Sequence, residues 1–211
     1  MICAGPGHPG GLLQLNPTAI SARRTHPILC FEHKEDAEKV KEVLAKRFSR
    51  FGLTLHPEKT RLVEFGRYAA RNAKRQGKKP QTVDFLGFTH MCARSRNGKF
   101  TVHVKTIGKR FRRGLKAIAE WCQKNRHQPV DAQQKTLNAK LRGHYQYYGR
   151  PTNYRSLRQF YRSVRRIWRE WLSRRTRGRW LTWERYDKIL RQHPLLLPRI
   201  THSWSGAGSI A

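Results

Sequence analysis

The chain has 211 residues and carries 45 Lys plus Arg against 13 Asp plus Glu, a formal charge of +32 that a self-contained enzyme seldom bears without a polyanionic partner, nucleic acid by default. A hydrophobic content of 37% with 10% aromatic residues is enough for one medium core or two small ones, which excludes wholesale disorder. Cys3, Cys30, Cys92 and Cys122 lie far apart without a C-x-x-C pair, so neither a zinc site nor a disulfide framework is indicated, and no apolar run approaches the roughly 20 residues of a membrane helix.

Residues 1 to 28 are rich in Gly and Pro and lack sustained periodicity, so they read as a flexible, unrelated leader with little order. From Lys34 to Phe51 the apolar residues Ala37, Val40, Val43, Leu44, Phe48 and Phe51 recur at three- and four-residue steps, which predicts an amphipathic helix packed on a sheet and stopped at Gly52. Leu53 to Leu55 and Arg61 to Phe65 read as short strands around a turn at Pro57, and Gly66 to Pro80 reads as a basic loop. Strand character returns at Val83 to His90 and at Lys99 to Val104, with Asn97-Gly98 between them as a hairpin signal.

Beyond the hairpin the pattern is helical. Phe111, Leu115, Ile118 and Cys122 mark one helix; Leu137, Leu141, Tyr145 and Tyr148 a second; Leu157, Tyr161, Val164, Trp168 and Trp171 a third; Trp183 to Leu190 a short fourth. Asp131 and Gln134 resemble a capping box for the second helix, Gly149 and Pro151 end it, and Pro194 ends the fourth. The expected fold class is α+β: a small mixed piece at 29–105, a basic helical bundle at 106–204, and a disordered tail at 205–211.

Charge is unevenly placed, because eight of the 13 acids precede residue 85, so the C-terminal part reads as the binding half. Residues 137–149, Leu-Asn-Ala-Lys-Leu-Arg-Gly-His-Tyr-Gln-Tyr-Tyr-Gly, combine rings that stack on unpaired bases with cations that meet phosphates. Helical phase puts Tyr145 and Tyr148 on the apolar stripe, and it points Arg142, Gln146 and Tyr147 elsewhere as contact candidates. His144, beside the stripe, is open between the two. The third helix adds Arg155, Arg158, Arg162, Arg165, Arg166 and Arg169, followed by Arg174 and Arg175, a row that would repel itself without a polyanion. Trp168, Trp171 and Trp183 read as packing residues. Charge alone does not separate RNA from DNA, and a solvated basic face or a cationic membrane-active protein is the bland alternative.

Three segments in order, Gly52 to Gly66, then Phe85-Leu86-Gly87-Phe88, then Leu137 to Gly149, resemble the latter part of a bacterial group II intron reverse transcriptase and maturase, and the similarity runs from about Leu29 to Trp204. The resemblance implies the end of a polymerase palm, a primer-grip hairpin at Phe85, Leu86, Gly87 and Phe88, and a helical thumb that doubles as a maturase domain binding intron RNA. A glycine inside such a strand permits close backbone approach of a ligand, while Phe85, Leu86 and Phe88 themselves read as core. Lys59 takes the place of a family lysine implied to lie near the incoming triphosphate; the alternative is a lysine on a solvated turn.

Full-length members hold two Mg²⁺ ions with a Tyr-x-Asp-Asp hairpin. Aligning Phe31 with the family's phenylalanine puts that aspartate pair at Thr25 and His26, and no acid precedes Glu32. The lone chain is therefore expected not to polymerise DNA and to hold no metal or other cofactor of its own. The leader reads as an out-of-frame or replaced stretch, and the absence of a Cys- or His-rich segment after Trp204 implies no appended endonuclease. The expected role is a cytoplasmic, RNA-binding maturase-type fragment whose partner is group II intron RNA, with no membrane partner. The alternatives are half of an RNA-directed DNA polymerase, completed in trans by a full-length or N-terminal-half chain, and a decayed product without function.

Overall fold

The computed structural model describes residues 28–54, 60–175 and 180–202, together with the backbone of 2–4. Within these the fold is mixed α and β and divides into two compact units, Met1–His103 and Val104–Ala211.

The first unit opens with β1 (Ile2–Ala4), β2 (Leu29–Phe31), α1 (Lys34–Arg50) and β3 (Leu62–Glu64). The three strands form a parallel sheet in the order β2-β1-β3, with Cys3 opposite both Cys30 and Val63. Parallel strands need a crossover, and α1 supplies the one from β2 to β3, which flank β1 on either side. Three residues of the leader are thus the central strand; Ile-Cys-Ala is too short a run to register as periodicity. Glu35 and Asp36 in the first turn of α1, and Arg47 and Arg50 in the last, match the helix dipole. The helix ends in a Schellman motif: Gly52 has φ +66°, its N–H donates to Ser49 O at 3.1 Å, and the Leu53 N–H donates to Phe48 O at 2.9 Å. That last bond corrects the strand expected at Leu53, whose amide is occupied in closing the helix; residues 55–59 lie outside the described part.

The expected basic loop is also corrected. It holds α2 (Ala69–Arg75), built from good helix formers, anchored by buried Ala69 and closed by a second Schellman motif at Gly77, φ +65°. A helix this short and this basic leaves no apolar stripe to read. The continuous strand expected at Val83 to His90 is two strands, β4 (Thr82–Phe85) and β5 (Phe88–Arg94), paired antiparallel with Phe85 opposite Phe88. Leu86 and Gly87 form the two-residue turn with φ +46° and +81°, both left-handed, as a hairpin with right-handed strand twist requires. The next turn falls where Asn97-Gly98 signalled it: Ser95 N–H donates to Lys99 O at 2.8 Å, Gly98 has φ +73°, and β6 (Phe100–Thr106) completes the sheet β4-β5-β6. Burial in this unit is sparse. One small cluster joins Ala37 to Phe31 and Leu62, and another joins Val63 and Val83 to Ile28, Phe65 and Phe85.

The second unit contains α3 (Gly108–Lys124), α4 (Val130–Tyr148), a single 3₁₀ turn (Pro151–Asn153), α5 (Tyr154–Ser173) and α6 (Trp183–Gln192). Its core takes Ile118 and Cys122 from α3, Leu137, Leu141 and Tyr145 from α4, and Leu157, Phe160, Val164 and Trp168 from α5. All but Phe160 are positions that helical periodicity marks out, whereas the marked Phe111, Leu115, Tyr148, Tyr161 and Trp171 pack against this core only partly buried. Each large side chain fully buried contributes about 1.5–3 kcal/mol. The capping box at Asp131 does not form. Pro129 is the N-cap of α4, and Asp131 pairs instead with Lys135 at 2.8 Å. Thr182 does cap α6, accepting from the Arg185 N–H at 3.4 Å.

Two buried amides staple this unit. Gln133 Nε2 donates to the carbonyls of Asn125, Arg126 and Gln128, and its Oε1 accepts the Trp168 indole N–H at 2.9 Å, fixing α5 to the α3–α4 connection. Asn153 Oδ1 accepts from the Thr106 amide at 2.9 Å while its Nδ2 donates to Tyr148 O at 2.9 Å, which joins the end of β6 to the end of α4. After α6 the extended stretch 194–202 runs back along α4. Asn138 Nδ2 donates to Pro194 O, the Leu196 amide donates to Asn138 Oδ1 at 2.7 Å, Tyr145 Oη donates to Leu196 O, and the Thr201 amide donates to Gly149 O.

Candidate nucleic-acid interface

The arginines of α5 separate into two groups that sequence does not distinguish. Arg155, Arg158, Arg162 and Arg166 are exposed. They follow one another at three- and four-residue steps over about 16 Å of helix. Among the described residues no carboxylate pairs with any of the four, because the one acid on α5, Glu170, is bonded to Arg174 at 3.0 Å. The opposite side of the helix is closed by Leu157, Phe160, Val164 and Trp168, so the row stands on a rigid support.

Arg165 and Arg169 are held differently. Arg165 pairs with Asp187 and lies 5.4 Å from the centre of the Trp183 ring, and Arg169 sits 3.9 Å over the same ring while donating to Leu181 O at 3.0 Å. The Nε atoms of both are buried and find no acceptor among the described residues. These two guanidiniums fasten α6 and the segment before it to α5, and they are spent on structure rather than displayed. Arg174 and Arg175 are exposed but engaged: Arg174 stacks 4.3 Å over Trp171, and Arg175 donates to His127 O at 3.3 Å.

On α4 the phase argument holds. Leu141 and Tyr145 are wholly buried, whereas Arg142, Gln146 and Tyr147 are exposed, Tyr147 at 51%. Tyr147 meets Tyr148 edge to face at 4.8 Å, which fixes its ring without covering it. His144, open between core and contact, turns inward: its ring stacks on Phe160 at 3.7 Å and 5°, and burial pushes its pKa down to about 4, so it is neutral at physiological pH. Its candidacy as an RNA contact is corrected by that packing. The Gln146 carbonyl is taken by the His202 ring at 2.7 Å, leaving its side chain outside.

In the first unit Phe88 is buried and Phe85 packs beside Val63 and Val83, but Leu86, expected in the core, is 65% exposed at the tip of the β4–β5 turn. Lys59, Thr25 and His26 lie outside the described residues. Among the described residues no group of three or more His, Cys, Asp or Glu is placed to hold a metal ion, and no helix is long and apolar enough to cross a membrane. The buried staples Gln133 and Asn153 had no signal in the sequence, since nothing local marks a polar residue whose partners lie 35 and 47 positions away. We found no match to a protein-family model, a curated protein or a solved structure.

Proposed function

We propose that this chain is an RNA-binding, maturase-type protein related to the C-terminal portion of a group II intron reverse transcriptase, which binds intron RNA in its folded form and so supports splicing. The observation that carries this reading is the exposed row Arg155, Arg158, Arg162 and Arg166, with no carboxylate partner among the described residues, on a helix whose far side is a fully formed core. Beside it, the motif order of palm end, Phe-Leu-Gly-Phe hairpin and Leu137 to Gly149 thumb signature selects intron RNA among polyanions. The protein's part is to neutralise and position phosphates, with Arg142 and Tyr147 as further contacts; the intron carries the chemistry. Thr25 and His26 supply no carboxylate for the family's Mg²⁺ pair, so no polymerisation step is assigned to the lone chain. The test is binding and splicing of a group II intron RNA at limiting Mg²⁺. Tighter binding to the folded intron than to a duplex of equal length, with faster splicing, supports the reading, and equal affinity for both without acceleration refutes it.

A second reading, half of a polymerase completed by another chain, is favoured by one feature of the first unit. Helix α1 buries only Ala37, while Val43 and Phe51 on the same helix system are 53% and 79% exposed. Primer extension with Mg²⁺, with and without an added fingers and N-terminal palm chain, separates the two readings.

A further inference from the structure

The first unit contains an open cleft of about 980 Å³ between α2 and the β5–β6 hairpin. It is lined by Arg67, Tyr68 and Arg71 from the α2 segment and by Arg94, Lys99 and Phe100 from the β5–β6 hairpin. No acid lines it. Glu64 at the end of β3 is engaged by Asn72 Nδ2 at 2.7 Å. None of the four cations is ion-paired to a carboxylate among the described residues. Arg71 lies 4.8 Å over the Tyr68 ring, which orients both groups, and Phe100 is 37% exposed. Cys92, also in the lining, has its thiol pushed up chiefly by burial, so the cleft gains no anionic thiolate from it at neutral pH.

We infer that this cleft is a second nucleic-acid site, which takes a short single-stranded RNA segment with its phosphates on Arg67, Arg71, Arg94 and Lys99 and its bases against Tyr68 and Phe100. Four cations contributed by two separate elements around one cleft suit a backbone with several phosphates. The rings favour unpaired bases, because stacking on an aromatic needs a base face free of its helical neighbours. A duplex presents no such face. The volume, at the upper end of what ligand pockets enclose, accommodates a few nucleotides. This site belongs to the first unit and the α5 row to the second, and it stands whether or not the partner is an intron.

The probe is a fluorescein-labelled oligouridylate of about ten nucleotides, a length within the range such grooves cover, titrated against the full chain over a series of salt concentrations. Replacing all four cations, R67Q/R71Q/R94Q/K99Q, is expected to lower the slope of log affinity against log salt by up to about 3, at about 0.7 per phosphate contact for single strands. Y68A/F100A is expected to weaken binding by about tenfold or more with the slope unchanged. Substitution of the α5 row, R155Q/R158Q/R162Q/R166Q, provides the contrast. If it abolishes binding while both cleft variants are unaffected, the cleft assignment fails and the α5 reading stands; the reverse pattern keeps the cleft and removes α5. Cross-linking of a 4-thiouridine oligomer to the unaltered chain guards against misfolded variants. Adducts on the peptides holding Tyr68 or Phe100 support the site, and adducts confined to the second unit overturn it. Tighter binding of poly-glutamate than of oligouridylate would also overturn it, in favour of an acidic polypeptide.

Discussion

The imidazole of His144 lies parallel to the ring of Phe160, with centroids 3.7 Å apart, and joins α4 to the arginine helix α5. Burial holds its pKa at about 4, against an ordinary value of 6.5. Between those values the unfolded chain binds more protons than the folded one. The contribution of His144 is therefore fully present above about pH 6.5 and is lost as pH falls through 4, by at most about 3 kcal/mol. His144→Phe keeps the stack and removes the titration. Chemical unfolding at a series of pH values should show the variant gaining on the original chain as pH drops through this window; a constant difference would mean that the imidazole is not desolvated.

Gly149 needs to be a glycine for space, not for a left-handed backbone. Its φ is −73°, but an added Cβ would lie 2.3 Å from both Thr201 Oγ1 and Tyr145 O. The strap 194–202 approaches too closely for any side chain. Gly149→Ala should cost about 1–3 kcal/mol in thermal unfolding, the range for forced overpacking. By comparison Gly143, with nothing within 4 Å of its Cβ, should accept alanine with a gain of up to about 1 kcal/mol.

Gln133 serves four partners at once, three carbonyls and the Trp168 indole. Gln133→Leu leaves the buried Trp168 indole N–H and the Gln128 carbonyl without this partner, while Asn125 O keeps the Gln128 N–H. It should destabilise the protein by about 2–4 kcal/mol and blue-shift the tryptophan emission little, since the indole stays buried. A loss below about 0.5 kcal/mol, the usual size for a surface substitution, would show that the carbonyls find other donors.

Leu86 occupies a left-handed conformation that costs a branched side chain about 1–2 kcal/mol. Leu86→Asn converts the turn to Asn-Gly, the preferred pair for this geometry. The first unit should gain about 1 kcal/mol by hydrogen exchange of β4 and β5. A net loss would mean that the leucine is held by packing.

The helices of the second unit and their buried faces were legible because Leu137, Leu141, Leu157, Val164 and Trp168 recur at helical spacing and because apolar burial depends mainly on that spacing. Exposure on α4 followed from the same phase, as Tyr145 and Tyr147 show. What sequence left unread were the decisions made across space. Arg165 and Arg166 are adjacent and chemically identical, yet one is committed to Asp187 and Trp183 while the other is displayed, because α6 packs over only one of them. The α2 helix was hidden by its own charge, and the cleft beside it exists only when the hairpin tip is brought near Arg67 and Arg71.

The most direct test of the central claim is the salt dependence of intron RNA affinity for the chain and for R155Q/R158Q/R162Q/R166Q, with matched thermal unfolding curves. Four exposed guanidiniums meeting phosphates should lower the slope of log affinity against log salt by about 3 to 4 and leave the melting temperature unchanged. An identical slope and affinity in the two proteins would contradict the assignment of this helix as the RNA-binding surface.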